Sequence, residues 1–209
     1  MTKKKAQIIF EALHERYPDA TCALIHDSPF ELLIATILSA QATDVSVNKA
    51  TPALFKAFPT PAAFAATSPE EIEPYIATIG LFRSKAKSVY ESSKRIVEDF
   101  GGSVPETMRD LTSLRGVARK TANVVLGNAL GKNEGVVVDT HVSRVSQRFG
   151  LSKETKPLKI EQDLMKLYPQ NEWAQVSHLL IYHGRNVCKK RGSLCESDAI
   201  CMRFCSNAH

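Results

Sequence analysis

The chain has 209 residues, 44% of them hydrophobic and 23% charged, and carries a formal net charge of +5. These are the values of an ordinary soluble globular protein, long enough for one large domain or two small ones around a real core. A membrane protein is excluded, because the most apolar stretch, residues 32–40, is about half the length a spanning helix needs. The mild positive excess fits an anionic partner without requiring one.

In chain order, the first stretch is MTKKKAQIIFEALHERYP. It starts basic, as signal peptides do, but its apolar run stops at Glu11 and no small-residue cleavage site follows. Ile9, Leu13 and Tyr17 recur at helical spacing, so an amphipathic helix ending before Pro18 is expected. With no leader, the protein is expected in the cytoplasm, or with the nucleoid in a bacterium. Ser28-Pro29-Phe30-Glu31 is a capping box with proline at the first helical position, opening an apolar helix over 29–40. Thr60-Pro61 and Ser68-Pro69-Glu70-Glu71 repeat that device, while Gly80, Gly101-Gly102, Gly131 and Gly150 read as stops. Residues 107–113 and 118–130 read as two further helices. Val136, Val137 and Val138 form the one β-branched run, and three residues make a poor strand. The expectation is an all-α fold of roughly ten short helices joined by tight loops.

Basic residues fall in three clusters. Arg83, Lys85, Lys87, Lys94 and Arg95 face Glu91 alone across one helix. Arg115, Arg119, Lys120 and Lys132 have no acid between them. Arg185, Lys189, Lys190, Arg191 and Arg203 surround cysteines, offset by Glu196 and Asp198. Solvated helix faces explain any one cluster; three together point toward phosphate binding. Of the five cysteines, Cys22 stands alone and Cys188, Cys195, Cys201 and Cys205 crowd the C-terminus. Without a secretion signal, that local four reads as a metal site rather than two disulfides.

LRGVARKTANVVL, residues 114–126, joins two expected helices by a glycine turn. Such a turn aims backbone N–H groups outward, and the helix start after it is a natural phosphate seat. Lys120 sits at that start. By its local sequence it is a solvated lysine, a phosphate contact or a nucleophile. Asp139, between the valine run and Thr140-His141, reads as a helix N-cap.

Taken together, these motifs resemble the endonuclease III family of helix-hairpin-helix DNA glycosylases. The family hairpin runs leucine, proline, glycine, valine, glycine, any residue, lysine, threonine, alanine. This chain keeps Leu114, Gly116, Val117, Lys120, Thr121 and Ala122, with Arg115 for the proline and Ala118 for the second glycine. SPFELLIATILSAQATDVSVNKATPAL (28–54) is similar to the family's first long motif. IGLFRSKAK (79–87) resembles its minor-groove probe, VVDTHVSRV (137–145) its catalytic aspartate motif, and LLIYHGRNVC (179–188) its lead into an iron–sulfur cluster.

The resemblance implies a helix-hairpin-helix DNA glycosylase fold, two helical lobes with a DNA groove between them. A six-helix lobe over 22–133 would hold the hairpin at about 107–130. Residues 1–21 plus 134–209 would form the other lobe, with the cluster loop at 188–205. The implied activity is that of a monomeric, bifunctional DNA glycosylase and AP lyase acting on oxidised pyrimidines in double-stranded DNA, or on an abasic site. Lys120 would be the nucleophile. It must attack as the neutral amine, and the helix start, neighbouring Arg119 and partial burial all disfavour its charge. Asp139 would help deprotonate it and stabilise oxocarbenium-like charge.

By the same resemblance, Gln41 fills the gap left by the flipped base, Leu81 wedges the opposite strand and His141 touches the flipped nucleotide or its phosphate. Arg115, Gly116, Ala118 and Arg119 would contact backbone phosphates, Arg115 offsetting a contact weakened by the Ala118 methyl. If position 118 takes positive φ, alanine there costs about 1 kcal/mol. Lys189, Lys190 and Arg191 form a basic loop aimed at phosphates. Cys188, Cys195, Cys201 and Cys205 would hold a [4Fe-4S] cluster of structural role. Their spacing, C-x6-C-x5-C-x3-C, departs from the family's C-x6-C-x2-C-x5-C, and Asp198 stands where the third family cysteine falls. A four-cysteine zinc site is the alternative. The rival functions are a monofunctional adenine glycosylase, whose family usually lacks a lysine at position 120 and carries a further C-terminal domain, and a non-catalytic DNA-binding hairpin module.

Overall fold

The computed structural model describes residues 1–206. Among these residues there are helices and loops and no strand. The chain divides into two compact units. One is Ala23–Lys132; the other joins Met1–Cys22 to the chain from Asn133 onward.

The unit Ala23–Lys132 holds seven helices against the six expected: α2 (Pro29–Ser39), α3 (Asp44–Ala57), α4 (Pro61–Ala65), α5 (Pro69–Ile76), α6 (Phe82–Phe100), α7 (Met108–Thr112) and α8 (Arg119–Ala129). Five of them start on a hydroxyl cap. Ser28, Thr43, Thr60, Ser68 and Thr107 each accept the N–H three residues on, satisfying a donor that no helical carbonyl can reach. In the Ser28 box the returning glutamate bond lands one residue early: Glu31 Oε2 accepts from Asp27 N at 2.7 Å. α2 is the core of this unit. Leu32, Leu33, Ile34, Ala35, Ile37 and Leu38 are all buried, so the helix is apolar all round and lies inside. Each such leucine or isoleucine contributes about 1.5–3 kcal/mol. α6 closes at Gly101, whose φ of 60° puts it in the left-handed cap conformation. The stop read at Gly80 is displaced by one residue: the left-handed residue there is Leu81.

The other unit contains α1 (Lys3–Arg16), α9 (Thr140–Arg148), α10 (Pro157–Leu167), α11 (Trp173–Asn186) and α12 (Ala199–Phe204). α11 packs against both α9 and α1. Ile9 and Leu13 of α1, Val142 and Val145 of α9, Ile160 and Leu164 of α10, and Val176, Leu179 and Leu180 of α11 share one core. The valine run is loop rather than strand, and Val137 N is tied to Ser177 Oγ at 2.9 Å. No helix among the described residues is long and apolar enough to cross a membrane.

His178 on α11 has its pKa lowered from 6.5 to about 4 by burial. The unfolded chain therefore binds this proton more readily than the folded one between those values. Urea stability should fall as pH drops from about 6.5 to about 4, and His178→Gln should flatten that slope; chemical denaturation at stepped pH reads both.

Candidate active site and metal centre

The hairpin is α7, the turn 113–118 and α8. Its turn is held from below by α6 through main-chain contacts. Arg95 Nη1 donates to Ser113 O at 2.7 Å and Ser92 Oγ donates to Arg115 O at 2.7 Å. Gly116 has φ of 78°, and a Cβ there would stand 3.1 Å from Ser88 Cβ and 3.4 Å from Ile37 Cγ2. Glycine is thus demanded twice, by backbone conformation and by close approach. α8 then begins without a side-chain cap, because Ala118 occupies the N-cap, and no acid lies in its first turn. Its positive end is open to an anion. Arg119 and Lys120 are the first two residues of that turn, and Lys120 is exposed, which removes the burial expected for it.

Two residues ahead of α3 and α6 are strained. Among the described residues, Gln41 (φ 54°) and Leu81 (φ 61°) are the non-glycines with positive φ. That conformation costs about 1–2 kcal/mol for a residue with a Cβ. Both are exposed, and Leu81 shows 61% of its surface to solvent, so it is not a core residue.

In the other unit Asp139 is the N-cap of α9. Its Oδ1 accepts from His141 N and Val142 N, each at 2.8 Å, and Oδ2 takes part in neither bond. His141 Nδ1 lies 3.1 Å from Arg144 Nη2. A guanidinium can only donate, so Nδ1 accepts and the imidazole proton sits on Nε2. Arg144 also donates to Gly184 O and Cys188 O, both at 2.8 Å, tying the Asp139 helix to the cysteine loop. α9 and α11 cross closely here: a Cβ on Gly184 would stand 3.0 Å from His141 Cβ.

The four C-terminal cysteines converge. All are buried, none is in a disulfide, and their Sγ atoms all lie within 4.8 Å of one another. Cys195 Sγ is 3.2 Å from Cys201 Sγ and 3.7 Å from Cys205 Sγ, and Cys188 Sγ is 3.9 Å from Cys205 Sγ. Arg148 Nη1 donates to Cys188 Sγ at 3.2 Å. The Cys188 thiol is held well below its ordinary range, first by its hydrogen bond with Cys201 and then by Arg148, while the same coupling pushes Cys201 up. Four convergent thiols with a cation donating to one of them form a donor set for a thiophilic metal centre. Lys189, Lys190 and Arg191 project from the loop beside it, exposed to solvent.

Residues 34–170 match the family model for HhH-GPD superfamily base excision DNA repair proteins. Endonuclease III of Synechocystis is 53% identical over 193 residues, covering 92% of this chain and 88% of that protein. The chain belongs to the endonuclease III family. Endonuclease III of Escherichia coli K12 is 44% identical over 94% of this chain and 93% of its own length. A solved structure of a trapped endonuclease III–DNA covalent intermediate superposes with a TM-score of 0.93 at 40% identity, covering 100% of this chain and 97% of that one. A thermostable thymine-DNA glycosylase, at 24% identity and a TM-score of 0.86, shares the fold.

Seen against the endonuclease III hairpin pattern, both departures have structural answers. Ala118 has φ of −88° and ψ of 170°, extended backbone that alanine adopts without strain. Arg115 pairs with Glu91 Oε2 at 3.0 Å on the exposed surface. The basic clusters are also less bare than their sequence spacing implies. Arg83, Lys87, Lys94 and Arg95 pair with Glu73, Glu91, Glu98 and Asp99, and Lys132 pairs with Glu106. Sequence reasoning missed Arg144 and Arg148; their i, i+4 spacing on the aspartate helix was the available signal. It also missed the role of Asp198, which caps α12 by accepting from Ile200 N and Cys201 N at 3.1 and 3.0 Å.

Gly116→Ala should destabilise the protein by about 1–3 kcal/mol, from backbone strain plus the Ser88 contact. Ala118→Gly should change stability by no more than about 1 kcal/mol. Thermal unfolding of the two variants checks the contrast.

Proposed function

We propose that this protein is a bifunctional DNA glycosylase and AP lyase of base excision repair, excising oxidised pyrimidines from double-stranded DNA. The observation that carries the reading is Lys120, an exposed primary amine at the uncapped start of α8, in the first turn after the Gly116 hairpin. Its neutral Nζ attacks C1′ of the damaged nucleotide. The glycosidic bond breaks, and its electron pair leaves with the base, which gains a proton. Loss of the Nζ proton and opening of the sugar give an iminium between Lys120 and C1′. That cation acidifies C2′; removal of a C2′ proton expels the 3′ phosphate by β-elimination, and water releases the lysine.

Asp139 supplies the carboxylate that takes the amine's proton and faces positive charge at C1′. Capping α9 through Oδ1 fixes its direction. Gln41 fills the gap left by the flipped base and Leu81 wedges the opposite strand, and their strained backbone is what projects them. The open end of α8, with Gly116, Ala118 and Arg119, seats a phosphate, and Lys189, Lys190 and Arg191 add salt-dependent affinity. His141, with its proton on Nε2, is set to donate to the nucleotide. Arg115 joins the phosphate contacts, because its pair with Glu91 is exposed and weak enough to exchange for a phosphate.

Cys188, Cys195, Cys201 and Cys205 are assigned as ligands of a [4Fe-4S] cluster, which family membership and the buried convergent thiols support. When bound, the cluster would crosslink the C-terminal loop; base excision needs no electron from it. A single zinc ion is a second reading. Four sulfurs tetrahedral about zinc stand about 3.8 Å apart, close to the 3.2–3.9 Å separations here. Assay of the purified protein should find four irons and four sulfides per chain on the first reading, and one zinc without sulfide on the second.

Borohydride trapping tests the activity. Wild type mixed with duplex DNA containing thymine glycol, or an abasic site, should give a covalent adduct that Lys120→Ala abolishes. A folded, DNA-binding wild type that gives no adduct would leave a monofunctional glycosylase or a binding module.

A further inference from the structure

A ring of polar side chains, all in the unit that joins the two chain ends, closes on one cysteine. His183 of α11 is fully buried, and its Nε2 lies 3.1 Å from Cys201 Sγ. Its Nδ1 lies 3.3 Å from the Tyr17 hydroxyl. Tyr17 follows α1 directly, next to Arg16. Arg16 reaches Asp198 Oδ2 at 3.9 Å. Asp198 completes the ring by accepting the Cys201 N–H through Oδ1.

With Cys201 as a metal ligand its sulfur carries no proton, so Nε2 is the donor in the 3.1 Å contact. The neutral imidazole then offers Nδ1 as an acceptor, and the Tyr17 hydroxyl donates to it. A protonated Nε2 has no lone pair to give a metal, so His183 serves the centre as a donor to sulfur and not as a ligand. Asp198 is occupied likewise, one oxygen by two N–H bonds and the other by Arg16. Cys201 therefore receives a side-chain N–H at its sulfur, while its own backbone N–H is held by the carboxylate at position 198.

We propose that His183 donates a hydrogen bond to the Cys201 sulfur and thereby sets the reduction potential of the metal centre, held in that role by Tyr17. The physical reason is charge. A thiolate sharing its density with an N–H gives less to the metal, which favours the reduced state, so the bond raises the potential. The proposal rests on the four thiols holding an iron–sulfur cluster. It extends to α1: a chain segment about 180 residues before Cys201 in sequence decides the proton position at its sulfur.

The test measures iron, sulfide and the one-electron potential, by protein-film voltammetry, on the full-length wild type, Tyr17→Phe and His183→Phe. Tyr17→Phe removes one oxygen and keeps the ring. Its iron content should match wild type while its potential moves to more negative values, and His183→Phe should move it further in the same direction. His183→Gln, which restores an N–H donor, should return part of the shift. Full iron with an unchanged potential in Tyr17→Phe and His183→Phe overturns the proposal. So does loss of iron from Tyr17→Phe, which would make the ring a purely structural device. A wild type lacking iron and sulfide overturns the cluster assignment itself, and this proposal with it. Should His183→Phe not fold, Tyr17→Phe alone decides.

Discussion

Every α-helix begins with N–H groups that its own carbonyls cannot reach, and this constraint governs where the protein is inert and where it is reactive. Serine and threonine satisfy it at five starts in the unit Ala23–Lys132. Aspartates satisfy it at Asp139 and Asp198. The starts of α6, α8, α10 and α11 have no side-chain cap bond. At α6 and α8 the N-cap residues are Leu81 and Ala118, which have no side-chain acceptor. Those two ends carry Leu81, Arg119 and Lys120, the residues proposed to meet DNA. The aspartate caps do double work. A carboxylate fixed by two N–H bonds is a directed charge, and one is proposed for chemistry and the other for a metal loop.

The open end of α8 is held in place by α6, mainly through backbone. Ser92 and Arg95 bind carbonyls of the turn, and Gly116 rests on Ser88. Because these contacts hold main chain, the exposed side chains at 115 and 118 are free to vary, whereas Leu114 and Val117 are buried. That explains how arginine and alanine can stand at 115 and 118 without disturbing the loop. Glycine at 116 has no such freedom. The same logic applies in the other unit, where Gly184 lets α9 and α11 approach and Arg144 fastens the aspartate helix to the carbonyls of Gly184 and Cys188.

Much of this was legible in the chain. The proline and hydroxyl punctuation marked three helix starts outright, because cap chemistry is local and needs only a few adjacent residues. The apolar helix 29–40 announced its burial by having no polar face. α3 was harder to read, with Pro52 inside it and its cap, Thr43, in a polar stretch. Charge was the least legible property. Lys87 and Glu91 are neighbours on one helix, but Arg115 meets Glu91 from 24 positions away. A run of basic residues therefore looked barer than it is. Exposure of Lys120 was likewise hidden, since it depends on how the hairpin lies on α6.

By itself, the sequence determined the helical class, the glycine-turned hairpin with its lysine, the aspartate cap and the presence of four clustered thiols. Each follows from residue types within a few positions of one another, where backbone geometry leaves little choice. Tertiary structure decided the rest: that Leu81 and not Gly80 takes the left-handed turn, that Ala118 needs no glycine, that Asp198 caps α12, and that His183 reaches Cys201 with Tyr17 behind it. These depend on which distant side chains arrive at a given atom, and packing alone brings them there.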